Sequence, residues 1–189
     1  MSLQELRIAH ATDYRPTIET SSDRPGSGTS KASVDGALFR MALSQLAAGT
    51  SIVTMCDQDG YKLGLTATAV SSVSLDPPLV LVCVDNRART AAVLKAKAPF
   101  VVHFLAASQE SLALRFASRI PDKFAGIAHH MTASGCPRIE GVLASIECAP
   151  HEVYPGGDHT IVIGRVVEVQ MSGENALPLI YFRRQFLQG

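Results

Sequence analysis

Residues 142–153 and 160–171 form two long β-rich runs, and the segment between them, Tyr154-Pro-Gly-Gly-Asp158, has the glycine and proline chemistry of a tight connection. A long hairpin is therefore expected near the C-terminal end, and shorter runs of the same kind precede it. Thr50-Ser-Ile-Val-Thr-Met-Cys56 is rich in β-branched residues. It is followed by the turn Asp57-Gln-Asp-Gly60 and a second run ending near Leu65. Leu79-Val-Leu-Val-Cys-Val84 is apolar on both sides of the pleat and reads as a central strand, with Pro77 and Pro78 just before it. Phe100-Val-Val-His-Phe-Leu105 is also strand-like, between two short helical segments at 90–97 and 109–118 that suit the caps of a barrel. Many strands with few helices predict a mainly β, closed or nearly closed antiparallel barrel.

The remainder sets the boundaries. Residues 1–33 include a Ser/Gly/Pro-rich stretch that offers little apolar surface against ordering entropy, so a flexible tail is expected there and one domain at 34–189. Leu38, Met41, Ala42 and Leu46 fall at helical spacing, with Asp35 as N-cap and Gly49 just past the expected end.

Balanced charge, 17 basic against 17 acidic residues, argues against a nucleic-acid surface. No apolar run approaches the roughly 20 residues of a membrane span and no signal-peptide pattern opens the chain, which predicts a cytoplasmic protein. Cys56, Cys83, Cys136 and Cys148 lack the close pairing of a zinc or dithiol site, and His129-His130 has no matching ligands, so no metal is expected.

Several clusters carry possible chemistry. In Gly64-Leu-Thr-Ala-Thr-Ala-Val-Ser-Ser-Val-Ser74, small and hydroxylated side chains allow a flat ligand close to the backbone, or make a solvated edge strand. Asn86-Arg-Ala-Arg-Thr90 has the donors of a phosphate site at the start of a helix, or is an exposed basic loop. Arg115-Phe116 and Lys123-Phe124 pair base with aromatic, as cofactor contacts or as ordinary amphipathic packing. Gly156-Gly-Asp-His159 sets an imidazole beside a carboxylate; without a nucleophile in a recognisable setting, a hydrolase triad is unsupported. In the apolar-aromatic run from Pro178 to Phe186, Tyr181-Phe-Arg-Arg184 sets an aromatic pair, ordinarily core, before two arginines that are ordinarily solvated but suit a dinucleotide diphosphate.

Taken in order, the Ala48-Gly-Thr50 helix end, Gly64-Leu-Thr-Ala-Thr, Ser72-Val-Ser-Leu-Asp-Pro-Pro-Leu79, Arg89-Thr90, Gln109, Arg115-Phe116, Lys123-Phe124, Gly156-Gly-Asp-His159 and Tyr181-Phe-Arg183 resemble the short-chain flavin reductase family. Within it, the likeness is to reductase components of two-component flavin monooxygenases acting on aromatic or steroid-derived phenols.

The resemblance implies a split β-barrel, Greek-key-like, with a few short capping helices. It implies a homodimer that uses NADH or NADPH to reduce FMN or FAD by hydride transfer and passes reduced flavin to a separate monooxygenase. It places the isoalloxazine along Leu63, Gly64, Leu65, Thr66, Ala67, Thr68 and Ala69. Cys83, Val84, Asp85, Arg89, Thr90, Arg115 and Phe116 take the phosphate side, with Lys123 and Phe124 beside them. His159 becomes the catalytic candidate, meeting the nicotinamide together with Tyr181, Phe182, Arg183 and Arg184. Three residues depart from the family pattern: His103 stands where Asn is usual, Ala69 where Ser is common, and Arg184 where Gly is usual. Two other readings of the same barrel are a permanent FMN enzyme for a pyridoxamine-like substrate and a non-catalytic flavin-binding protein.

Overall fold

The computed structural model describes residues 34–172 and 176–187; the expected tail at 1–33 lies outside the described residues. The described chain opens with helix α1 (Gly36–Ser44), then strands β1 (Ala48–Gly49), β2 (Ser51–Cys56), β3 (Lys62–Ala67), β4 (Val70–Leu75) and β5 (Pro78–Asp85). Helix α2 (Arg89–Lys95), β6 (Phe100–Phe104), a short 3-10 turn and α3 (Glu110–Ala117) follow. The chain continues through β7 (His129–Met131), β8 (Pro137–Ile139), the long β9 (Ala144–Gly156) and β10 (His159–Met171), then β11 (Ile180–Phe182) and β12 (Gln185–Leu187).

Seven strands make one antiparallel sheet in the order β3-β2-β6-β9-β10-β5-β4. The sheet is rolled: Leu63 of β3, near one end, shares a core cluster with Val80, Val82 and Val84 of β5, near the other. Phe100, Val102, Ile146, Cys148 and Val162 fill the interior between them. The architecture is the split barrel, with α2 and α3 packed on it.

Several local expectations change. The run at 79–84 is not buried on both sides: Val80, Val82 and Val84 point inward while Leu79, Leu81 and Cys83 are half-buried, because β5 lies one strand from an edge and only one of its faces meets the core. The hairpin loop is shorter than expected. Strand β9 runs through Gly156, and only Gly157 and Asp158 turn, with Gly157 at φ +71° at the first loop position, as a two-residue primed turn demands. Asp35 does cap α1, its carboxylate accepting from the N–H groups of Ala37 and Leu38. The helix nevertheless stops at Ser44 rather than near Gly49, because Ala48 and Gly49 pair with Tyr181 and Ile180.

Two buried polar ties hold the strands in register. His103 is fully buried; its Nδ1–H donates to the Ile52 carbonyl at 3.0 Å and its Nε2 accepts from Ile139 N–H at 3.0 Å, joining β6, β2 and β8. Burial, ahead of all other effects, pushes its pKa down to about 4, so the ring is neutral. Arg138, also buried, donates to Glu147 at 3.0 Å and to Glu168 at 2.7 Å on the paired strands β9 and β10. Gly164 is required by packing, since a Cβ there would lie 2.5 Å from the Phe100 ring. The four cysteines are free thiols; burial pushes Cys136 up to about 11 and Cys148 up to about 12, which keeps both protonated.

Candidate active site

A cleft of about 720 Å³ opens where β3, the start of α2 and the segment after α3 meet. Its floor is Lys62, Leu63, Gly64, Leu65 and Thr66. β3 is an edge strand of its sheet, so among the described residues one side of its backbone faces no neighbouring strand. The space an ordinary side chain would occupy at position 64 is taken by α3: a Cβ there would sit 2.6 Å from the Phe116 ring. Glycine is therefore needed for helix-on-strand packing, a different reason from the close ligand approach read in the sequence. The Thr66 hydroxyl likewise bonds α3, donating to the Ala113 carbonyl at 2.6 Å.

One wall comes from Asp85, Arg87, Ala88, Arg89 and Thr90. The Arg87 guanidinium forks onto Asp85, with Nη2 to Oδ2 at 2.7 Å, and this bond holds the Asp85 carboxyl well below the usual range. The Arg89 Nη2 meets Asp57 Oδ2 at 2.9 Å, and its guanidinium stacks 4.7 Å from the Tyr61 ring centre. Thr90 is buried, and its hydroxyl has no hydrogen-bond partner among the described residues. A buried hydroxyl left unpaired is costly in isolation, and Thr90 belongs to the cleft lining.

The opposite wall runs from Phe116 through Pro121 and includes Lys123. The Lys123 ammonium donates to the carbonyls of Gly64 at 3.0 Å and Phe116 at 2.6 Å, clamping this wall to β3; burial lowers its pKa. Tyr61 ties the two sides across the mouth, its hydroxyl donating to the Pro121 carbonyl at 2.7 Å. Arg119 lines the cleft, exposed, with no ion pair or hydrogen bond among the described residues. Five basic residues, Lys62, Arg87, Arg89, Arg119 and Lys123, thus line the cleft with a single acidic residue, Asp85, in a chain whose net charge is zero. That arrangement suits an anionic ligand with a flat, partly apolar body.

The residues singled out in the sequence divide into two groups. Leu63, Gly64, Leu65, Thr66, Asp85, Arg89, Thr90, Phe116 and Lys123 come together in the cleft. Ala67 and Val84 are core residues, Cys83 is half-buried on β5, and Thr68 and Ala69 are exposed on the β3–β4 link. Arg115 points away from the cleft and braces the following loop through the carbonyls of Lys123 at 2.8 Å and Ala125 at 2.7 Å. Phe124 is buried edge-on to Phe116. His159, half-exposed, pairs across the sheet with Asp85 and donates from Nδ1 to Asp158 at 2.7 Å. It stands beside the rim without lining the cleft. Tyr181, Phe182, Arg183 and Arg184 lie on the separate three-stranded sheet β1-β11-β12.

Tyr61 and Arg119 were not anticipated. The only signal for Tyr61 was its position directly after the Asp57–Gly60 turn, and Arg119 carried none. His129, set aside as a metal ligand, hydrogen-bonds Lys62 Nζ through Nε2 at 2.9 Å.

The fold is a split barrel, and its cleft is lined mainly by basic and apolar residues. The flavin reductase-like domain model matches residues 43–189, and the chain belongs to that family. It is 39% identical over 152 residues to an actinorhodin polyketide dimerase of Streptomyces coelicolor, covering 80% of this chain and 85% of that one. It is 39% identical over 153 residues to the reductase subunit of a flavin-dependent monooxygenase of Rhodococcus jostii, covering 81% and 77%. An NADH:FAD oxidoreductase of Streptomyces globisporus, solved with NAD and FAD fragments, superposes with a TM-score of 0.77 at 34% identity, over 82% of this chain and 93% of that one.

Proposed function

We propose that this NAD(P)H-dependent flavin reductase seats its flavin, FMN or FAD, with the ring system along β3 and the phosphate against Arg89 and Thr90. The observation that carries the reading is the convergence of five cations and one orphaned hydroxyl on a cleft floored by an edge strand. Hydride passes from nicotinamide C4 to flavin N5 when the two rings stack, and the protein accelerates it mainly by holding them in register. The chain's own contribution is position: Lys123 fixes the wall to β3, Phe116 packs against Gly64, and Tyr61 bridges the mouth. Cationic side chains also stabilise the negative charge that gathers on reduced flavin.

His159 orients the nicotinamide. Its Nδ1–H is committed to Asp158, which leaves Nε2 for the nucleotide. Tyr181 to Arg184 belong to the same role but stand on another sheet, and a homodimer in which a second copy supplies them completes the site. The apolar side chains Leu38, Phe39, Met41 and Leu43 of α1 and Leu46 just after it are all exposed, as are Val167, Val169 and Met171 of β10; such surface is what a second copy covers. Reduced flavin leaves for a separate monooxygenase, a role supported by the Rhodococcus relative, and the free thiols suit the cytoplasm.

The test is anaerobic oxidation of NADH and NADPH at 340 nm, with FMN and FAD bleaching at 450 nm in turn. Many turnovers of added flavin support the reading and select the cofactors. A yellow protein after exhaustive dialysis that fails to turn over added flavin indicates a permanent FMN enzyme instead. His159→Ala should raise the nicotinamide KM or lower kcat while flavin affinity stays within about twofold; equal loss of flavin binding would remove His159 from this role.

A further inference from the structure

We infer that Asp57 is an intramolecular competitor of the flavin phosphate: it pairs with Arg89 and so holds flavin affinity low enough for the reduced product to leave. This rests on the proposed reading of Arg89 as the phosphate contact.

Asp57 opens the turn between β2 and β3, and its carboxylate divides its two oxygens between different tasks. Oδ1 accepts from the turn's own backbone, Asp59 N–H at 3.1 Å and Tyr61 N–H at 2.8 Å. Those bonds aim Oδ2 at Arg89, 2.9 Å away. Asp57 does not line the cleft. It belongs to a neighbouring cavity with Cys56, Ala92 and Cys136, and so reaches the guanidinium from behind. Its side chain is 16% exposed, whereas that of Arg89 is 66% exposed, so the carboxylate is fixed and the guanidinium is the partner able to move. A phosphate entering the cleft must share or displace a contact already made, and it meets a fixed negative charge just behind the cation it needs. Both effects weaken binding of the phosphate end and leave the ring end untouched.

The same turn carries Tyr61, whose ring supports the Arg89 guanidinium and whose hydroxyl holds Pro121. Asp57 thus orders the turn, the turn orders Tyr61, and the Arg89 guanidinium rests between carboxylate and ring. Among the five cations of the cleft, Arg87 is also paired, but to Asp85, an acid at the cleft surface; Arg119 has no partner among the described residues. Of the two arginines with a carboxylate partner, Arg89 is the one whose partner sits outside the ligand space.

Asparagine at position 57 keeps an oxygen for the two turn N–H groups while removing the charge. Equilibrium titration of FMN and of riboflavin, which lacks the phosphate, should therefore separate the two tasks. We expect Asp57→Asn to tighten FMN roughly fivefold, the upper range for one exposed ion pair, with riboflavin unchanged. The gain should vanish in the Arg89→Ala background and shrink as salt is raised. Asp57→Ser, which also keeps a turn acceptor, provides a second variant, and riboflavin binding reports that either is folded. FMN affinity unchanged or weakened in these variants, with riboflavin retained, overturns the competitor role. A wild-type protein that binds FMN and riboflavin alike, with Arg89→Ala neutral toward both, removes the phosphate reading itself and the competitor role with it.

Discussion

The cleft and the corner formed by α1, β11 and β12 are built on opposite terms. Around the cleft, every wall is tied to another: Lys123 to β3, Tyr61 to Pro121, Phe116 over Gly64, Arg89 to Asp57. At the corner, α1 buries none of its residues, and the β11–β12 hairpin turns through Arg183 at φ +48° and Arg184 at φ +64°. Its flanking pair is Phe182 and Gln185, so both loop residues adopt the left-handed conformation that two-residue hairpins ordinarily assign to asparagine and glycine. Arg183 is held by Ser44 and Gln45, while Arg184 is exposed. One region is organised within the chain; the other carries exposed apolar surface and backbone strain that packing inside the chain does not relieve. The difference marks the corner, rather than the cleft, as the surface that the proposed second copy would cover.

Changes on the organised side should have the larger effects. The largest expected effect comes from pH. The His103 pKa of about 4 lies below the ordinary value near 6.5, so its contribution is complete above pH 6.5 and is lost as pH falls toward 4, by about 3 kcal/mol. Urea unfolding across that range should show the loss, and His103→Asn should flatten the slope; an unchanged slope would show that other groups govern acid stability. Gly64→Ala should lower stability by about 2 kcal/mol, because its methyl displaces the Phe116 ring, and should weaken flavin binding in parallel. A stable variant with intact binding would mean the floor is softer than its packing implies. Arg89→Ala should weaken FMN about tenfold at low salt and less at high salt, measured by fluorescence titration.

The smallest effect, of opposite sign, belongs to the corner. Arg184→Gly should raise stability by about 1 kcal/mol by relieving the left-handed strain, read as a higher Tm. If it also shifts the ratio of NADPH to NADH use, Arg184 retains a role that offsets its cost. If stability falls instead, the corner is more tightly organised than its exposure suggests.

Much of the barrel was readable because its signals are local. The β-branched run before Asp57, the Gly/Pro chemistry before His159 and the Asp35 cap each act within a few residues. The run at 79–84 misled because an unbroken apolar stretch does not say which face meets the core; that depends on strand order, here one place from an edge. Of the site, Arg89-Thr90 and 63–66 were legible as unusual chemistry within single segments. Arg115 was not: a guanidinium beside a phenylalanine on a helix points one way or the other by a fraction of a turn, and here it braces a loop. Tyr61 was invisible because its meaning lies in a bond to Pro121, sixty residues away. His103 was flagged as a departure, but its function as a tie between three strands needed their register.

The cleft's five cations and one carboxylate stand in a chain of zero net charge, so an equal excess of negative charge must be distributed over the rest of the molecule. Around the cleft the lining is locally positive although the chain as a whole is neutral, so the field there differs from what net charge reports. In the proposed reading, a phosphorylated nucleotide is drawn toward that cleft by an attraction that weakens as salt is raised. Isoelectric focusing, which reads only the sum of charges, would not reveal it.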